Sequence, residues 1–81
     1  MAEELHKVVL YVHDGLKSFT VTARTDSARL GEVTRQMIGK GYTTTLVAHG
    51  LPKEEAEALK DRIRAEYIAK GYSYEIRKAL S

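Results

Sequence analysis

The tripeptide Lys-Gly-Tyr occurs twice, at Lys40-Gly41-Tyr42 and Lys70-Gly71-Tyr72, each time between a stretch of helical spacing and a stretch of extended character. Ile38-Gly39-Lys40-Gly41-Tyr42-Thr43 leads into Thr44-Thr45-Leu46-Val47, and Ile68-Ala69-Lys70-Gly71-Tyr72-Ser73 leads into Tyr74-Glu75-Ile76. A glycine just past the last helical residue takes the left-handed conformation that caps exposed carbonyls, and a lysine before it complements the negative helix end. The chain therefore contains two helix-to-strand units. Shared capping chemistry and an internal duplication both produce such a pair, and two copies are too few for a solenoid.

Around these stops the rest of the chain falls into place. Residues 7–13, Lys-Val-Val-Leu-Tyr-Val-His, are β-branched and aromatic, and Asp14-Gly15 supplies a turn. From Lys17 to Ala23, Phe19, Val21 and Ala23 alternate with Ser18, Thr20 and Thr22, which predicts a strand with one buried and one wet face. Thr25, Asp26 and Ser27 are candidate N-caps for a helix over 27–39, whose apolar positions are Leu30, Val33, Met37 and Ile38. A third strand is expected from Tyr42 to about Ala48, with His49-Gly50-Leu51 as the connection onward. Pro52 fits the first turn of a second helix over 52–69, Glu54 and Glu55 favour its positive start, and Ala56, Leu59, Ile63 and Tyr67 form its apolar stripe. A last strand is expected from Tyr72 to Arg77. The order is β-β-α-β-α-β: an α+β, two-layer sandwich with a mostly antiparallel sheet and two helices on one face. Residues 1–6 read as an N-terminal tail and 7–81 as a single domain.

A chain of 81 residues holds one modest core, since a domain of this size buries only roughly 60–65% of its unfolded surface. A large internal ligand cavity is not expected. No cysteine is present, which excludes disulfides, thiolate metal sites and a cysteine nucleophile. The first residues carry acids where a signal peptide needs bases, and their apolar run is too short for a membrane span, so no membrane association and a cytoplasmic setting are expected. The formal net charge of +2 arises from 13 basic and 11 acidic side chains mixed along the helices, which is only weakly permissive of nucleic acid.

Catalytic and metal-binding patterns are sparse. His6, His13 and His49 are scattered, no two at helical ligand spacing, so no metal site and no cofactor are expected. His13-Asp14 reads as a strand end and its turn rather than a base with its orienting carboxylate, because neighbours in a strand point to opposite faces. His49 precedes a helix start, where free amides hold anions only if other groups converge. Gly39-Lys40-Gly41 follows a helix, unlike a phosphate loop, and reads as a cap. The tyrosines at 11, 42, 67, 72 and 74 read mostly as core and strand residues, with base stacking as the alternative. Lys7, Arg24, Arg29 and Arg35, with Lys17 beside them, are the candidate phosphate contacts.

Taken together, residues 8–68 resemble a worn GIY-YIG nuclease domain. Val9-Leu10-Tyr11 stands where Gly-Ile-Tyr would, Phe19-Thr20-Val21 where Tyr-Ile-Gly would, and Arg29 follows at about the family spacing. Leu46-Val47-Ala48-His49-Gly50-Leu51-Pro52-Lys53-Glu54-Glu55-Ala56 is similar to the strand, loop and acidic helix start that precede the family's metal-binding glutamate. Phe19 lacks the phenolic oxygen, Val21 replaces the glycine, and Lys60 stands near the place of the carboxylate, where an ammonium repels Mg²⁺. The resemblance implies Tyr11 and Arg29 as catalytic remnants without a working metal site.

The expectation from sequence is a small non-catalytic module of the kind found as bacterial or phage accessory proteins, binding a protein partner or a nucleic acid, with a residual GIY-YIG-like phosphodiesterase as the further alternative. Self-association as a homodimer is expected through a sheet edge or the wet face of the hairpin, with Tyr72, Tyr74 and Ile76 of the last strand as the interface candidates.

Overall fold

A computed structural model of the chain describes residues 4–74. Within them run β1 (His6–His13), β2 (Ser18–Arg24), α1 (Ser27–Gly39), β3 (Thr43–Leu51), α2 (Lys53–Ala69) and β4 (Ser73–Tyr74). The α+β class and the β-β-α-β-α-β order are those read from the sequence. The sheet is mixed, in the order β3-β1-β2-β4, with β1 antiparallel to both β2 and β3 and β4 parallel to β2.

The helices do not share a face. Val8, Leu10 and Val12 of β1 join Phe19 and Val21 of β2 under Ala56 and Ile63 of α2. The alternate residues of β1, Val9 and Tyr11, pack instead with Leu30, Val33 and Met37 of α1. Successive strand residues point to opposite sides, so α1 and α2 cover opposite faces and the fold has three layers, not two. Strand order explains the difference. The pairings make β2, β3 and β4 mutually parallel; the β2-α1-β3 connection crosses β1 toward one edge, and β3-α2-β4 returns to the other. Crossovers of one hand that run in opposite directions place their helices on opposite faces, and parallel crossovers are almost always of one hand.

Burial on both faces also removes the wet side expected of β2. Ser18, Thr20 and Thr22 are buried, on the same face as Tyr11. Phe19 and Met37 are fully enclosed, each contributing about 1.5–3 kcal/mol relative to exposure. Phe19 lies 5.2 Å, ring to ring, from both Tyr67 and Tyr74.

Both helices end in the same motif. After α1, the Gly41 amide donates to the Ile38 carbonyl and the Tyr42 amide to the Met37 carbonyl, each at 3.0 Å. After α2, Gly71 donates to Ile68 and Tyr72 to Tyr67 at the same distance. These bonds satisfy the last carbonyls of each helix, and they require a left-handed residue: Gly41 has φ +93° and Gly71 φ +94°. At the helix starts, Asp26 is the residue among the three candidates that caps α1, its Oδ1 accepting from the amides of Ala28 and Arg29 at 3.0 and 3.1 Å. Pro52 sits at the N-cap of α2, one residue before the first turn, without a side-chain cap.

Strand bounds differ in one informative place. His49, Gly50 and Leu51 belong to β3 and not to a connection. Gly50, at φ +71°, accommodates an irregularity that keeps the strand paired as far as His6 and Leu51. Of the expected last strand, Tyr72 precedes β4, Ser73 and Tyr74 form it, and the remainder, including Ile76, lies outside the described residues.

Candidate functional site

The strand order leaves β3 at an edge, bonded to β1 on one side and to no strand among the described residues on the other. Its sequence, Thr-Thr-Thr-Leu-Val-Ala-His-Gly-Leu, spans nine residues and contains no Lys, Arg, Asp or Glu. Residues 43–47 are all exposed, including Leu46 at 54% and Val47 at 37%. Three threonines, a leucine and a valine in succession favour an extended backbone through their branched side chains. Such a strand presents a row of unpaired amides and carbonyls to whatever approaches.

The two ends of β3 differ. From Thr43 to Leu46 the register with β1 is continuous: Val12↔Thr43, Tyr11↔Thr44, Leu10↔Thr45 and Val9↔Leu46. Beyond it Val8 pairs with Ala48 and His6 with Leu51, so β3 carries an extra residue at Val47 and another before Leu51. Each extra residue bends the strand and strengthens its twist, which discourages pairing along that half. The flat template is therefore Thr43–Val47, up to the first bulge. It is also anchored. The Thr43 hydroxyl donates to the Val12 carbonyl at 3.2 Å, and the preceding Tyr42 shares a 2.9 Å hydrogen bond with the Ser18 hydroxyl. On the sheet face shared with α1 stand Thr44 and Leu46; on the α2 face stand Thr43 and Thr45.

Among the described residues the other edge is the two-residue β4, and its tyrosines are engaged within the chain. The Tyr72 hydroxyl donates to Asp14 Oδ1 at 2.8 Å, and the Lys17 ammonium lies 5.1 Å above its ring. That bond to the carboxylate raises the Tyr72 phenol above its ordinary value, because the neutral hydroxyl is the donor. Tyr74 packs on Phe19 and carries the Arg64 guanidinium 5.6 Å over its ring. Among the described residues, the uncharged edge at Thr43–Val47, not singled out from the sequence, is the longer and more exposed one.

Tyr11, implied as a remnant catalytic residue, is wholly buried between β1 and α1, where its hydroxyl shares a 2.8 Å hydrogen bond with Thr34 Oγ1. Burial raises its phenol above the ordinary value, against the opposing effects of Thr34 and Arg24. Arg29 is exposed in the first turn of α1 and pairs with Glu32 at 3.6 Å. Lys60 pairs with Glu57 at 3.1 Å. Of the four candidate phosphate contacts, Lys7 and Arg24 stand opposite one another on β1 and β2. Arg35 falls on the side of α1 away from Leu30, Val33 and Met37. The ion pairs at Arg29, Lys60, Arg64 and Lys70 are all local to one helix, and exposed pairs of this kind add about 0.3–0.5 kcal/mol each.

His13 is a structural residue of the hairpin. Its Nδ1 accepts the Leu16 amide at 3.0 Å, and its ring meets Tyr42 edge-on at 5.3 Å. His49 is exposed on β3. Among the described residues no group of His, Asp and Glu has the arrangement of a metal site, and no helix is long and apolar enough to cross a membrane. The chain matches no protein family, no curated protein and no solved structure.

Proposed function

We propose that the chain is a non-catalytic protein-binding module that takes an extended segment of another polypeptide onto β3 as an added strand. The observation that carries this reading is the stretch Thr43–Val47: exposed, uncharged, continuous in register and at a sheet edge. Strand addition draws affinity from main-chain hydrogen bonds and specificity from alternate side chains. Thr44 and Leu46 would read one face of the incoming strand, Thr43 and Thr45 the other. Natural proteins usually blunt a free edge with charges, proline or bulges; here the bulges begin only at Val47, so the first half is left open.

A displayed library of random twelve-residue peptides, panned on the immobilised full chain and on its Thr44→Pro variant, tests the reading. Threonine, valine and isoleucine-rich peptides that bind the native chain and lose at least tenfold in affinity to the variant are expected. Proline at residue 44 removes an amide that points away from β1 and stiffens the strand at the docking position. Circular dichroism melting establishes that the variant is folded. The alternative partner is a nucleic acid, contacted through Lys7, Arg24, Arg29 and Arg35. Binding to single-stranded or duplex DNA that falls steeply with salt and is indifferent to Thr44→Pro would replace the present reading with that one.

A further inference from the structure

We infer that the strand received by β3 is β3 of a second copy, joined antiparallel about a twofold axis through Thr45, so that two four-stranded sheets become one continuous sheet. The inference rests on the strand-addition reading and names its occupant.

Charge decides between partners of different kinds. In a twofold antiparallel pair each residue faces itself or its symmetry mate, so any charged side chain on the strand would sit near its own like. A partner of opposite charge would instead favour charges on β3 as a means of selection. Residues 43–51 include no Asp, Glu, Lys or Arg, although these make up 30% of the whole chain. That is the composition a strand needs to meet its own copy without repulsion.

Geometry then fixes the register. A twofold axis relating antiparallel neighbours stands perpendicular to the sheet, which keeps each face continuous from one copy to the other. Opposed residues must share a face, so the axis passes through a residue rather than between two. Centring on Leu46 would pair across the bulge at Val47, and centring on Thr44 would draw in Tyr42, whose hydroxyl is held by Ser18. Centring on Thr45 uses all of Thr43–Val47. Thr45 then opposes its own mate, Thr44 opposes Leu46, and Thr43 opposes Val47. On the α1 face the two Leu46 side chains, each 54% exposed, lie beside the seam between the two α1 helices and lose solvent on pairing.

The register makes Thr45 the test. Two variants, Thr45→Lys and Thr45→Glu, are examined by sedimentation equilibrium from low to high micromolar concentration, alone and mixed in equal amounts, with thermal melts to establish folding. The native chain is expected to reach twice the monomer mass. Each variant alone is expected to stay at the monomer mass, because like charges are placed opposite one another, and the equimolar mixture to recover the doubled mass. A native chain that remains monomeric at high micromolar concentration overturns self-pairing. So does a Thr45→Lys variant that dimerises as well as the native chain. If the native chain is monomeric yet still selects strand-like peptides that Thr44→Pro rejects, self-pairing fails while the strand-addition reading stands; if no such peptides are selected either, both fail.

Discussion

Tyr42 and Tyr72 hold the same hairpin from opposite faces of the sheet. The first shares a hydrogen bond with Ser18 at 2.9 Å and the second donates to Asp14 at 2.8 Å. Each tyrosine follows the capping glycine of its helix, so the two Lys-Gly-Tyr stops converge on one turn and tie α1, α2 and the β1–β2 hairpin together. The Ser73 amide adds a 2.8 Å bond to the Lys17 carbonyl.

The bond between Tyr72 and Asp14 makes stability depend on alkaline pH. The Tyr72 phenol is raised in the folded chain, chiefly by that hydrogen bond. Its contribution is therefore complete below the unfolded value, about 10, and fades as pH rises through the folded one, because the unfolded chain then releases the proton first. Melting temperature is expected to decline from pH 9 to 11 more steeply in the native chain than in Tyr72→Phe. Identical slopes would show that the bond is not maintained in solution.

The two capping glycines differ in what surrounds them. A methyl group at Gly71 meets no atom within 4 Å, whereas at Gly41 it would lie 3.0 Å from His13 Nε2. Alanine at either site adopts a disfavoured left-handed conformation costing about 1–2 kcal/mol. Gly41→Ala must also displace His13, which is held by the Leu16 amide and Tyr42. Denaturant melts are expected to show a larger loss for Gly41→Ala than for Gly71→Ala, and the excess should shrink in a His13→Ala background. Equal losses would contradict the packing at that turn.

Asp26→Ala removes the acceptor for two amides at the start of α1. A loss of about 1 kcal/mol is expected by chemical denaturation, with Asp26→Asn retaining most of the stability. An unchanged midpoint for the alanine variant would mean that neighbouring residues replace the cap.

Incubated with Mg²⁺ or Mn²⁺, the purified chain is expected to leave DNA and RNA intact. Tyr11 turns its hydroxyl to Thr34 inside the fold, Lys60 is paired with Glu57, and among the described residues no group of His, Asp and Glu has the arrangement of a metal site, whereas such cleavage needs a carboxylate-held metal beside the arginine. Cleavage abolished by Arg29→Ala would establish the nuclease relationship instead.

What could be read from residues alone was local. Gly41 and Gly71 announce their left-handed caps because the helix stop, the lysine and the extended tyrosine all lie within a few positions. The face chosen by each helix was not legible, since it follows from strand order: only once β3 and β4 occupy opposite edges must α1 and α2 part. For the same reason Thr20 and Thr22 look like a wet face in sequence and are buried in the fold. The edge at Thr43–Val47 left a visible trace, an uncharged β-branched run, but the same run suits a buried central strand. Its exposure distinguishes the two.

Backbone amide exchange along β3 tests the edge directly. In dilute solution the amides of Thr43–Val47 that point away from β1 are expected to exchange quickly, while those of β1 remain protected. Raising the protein concentration, or adding a selected strand-like peptide, should slow the outward amides at least tenfold, and Thr45→Lys should abolish the concentration effect. Outward amides that exchange at the unprotected rate under every one of these conditions would contradict a role for β3 in taking up a partner strand.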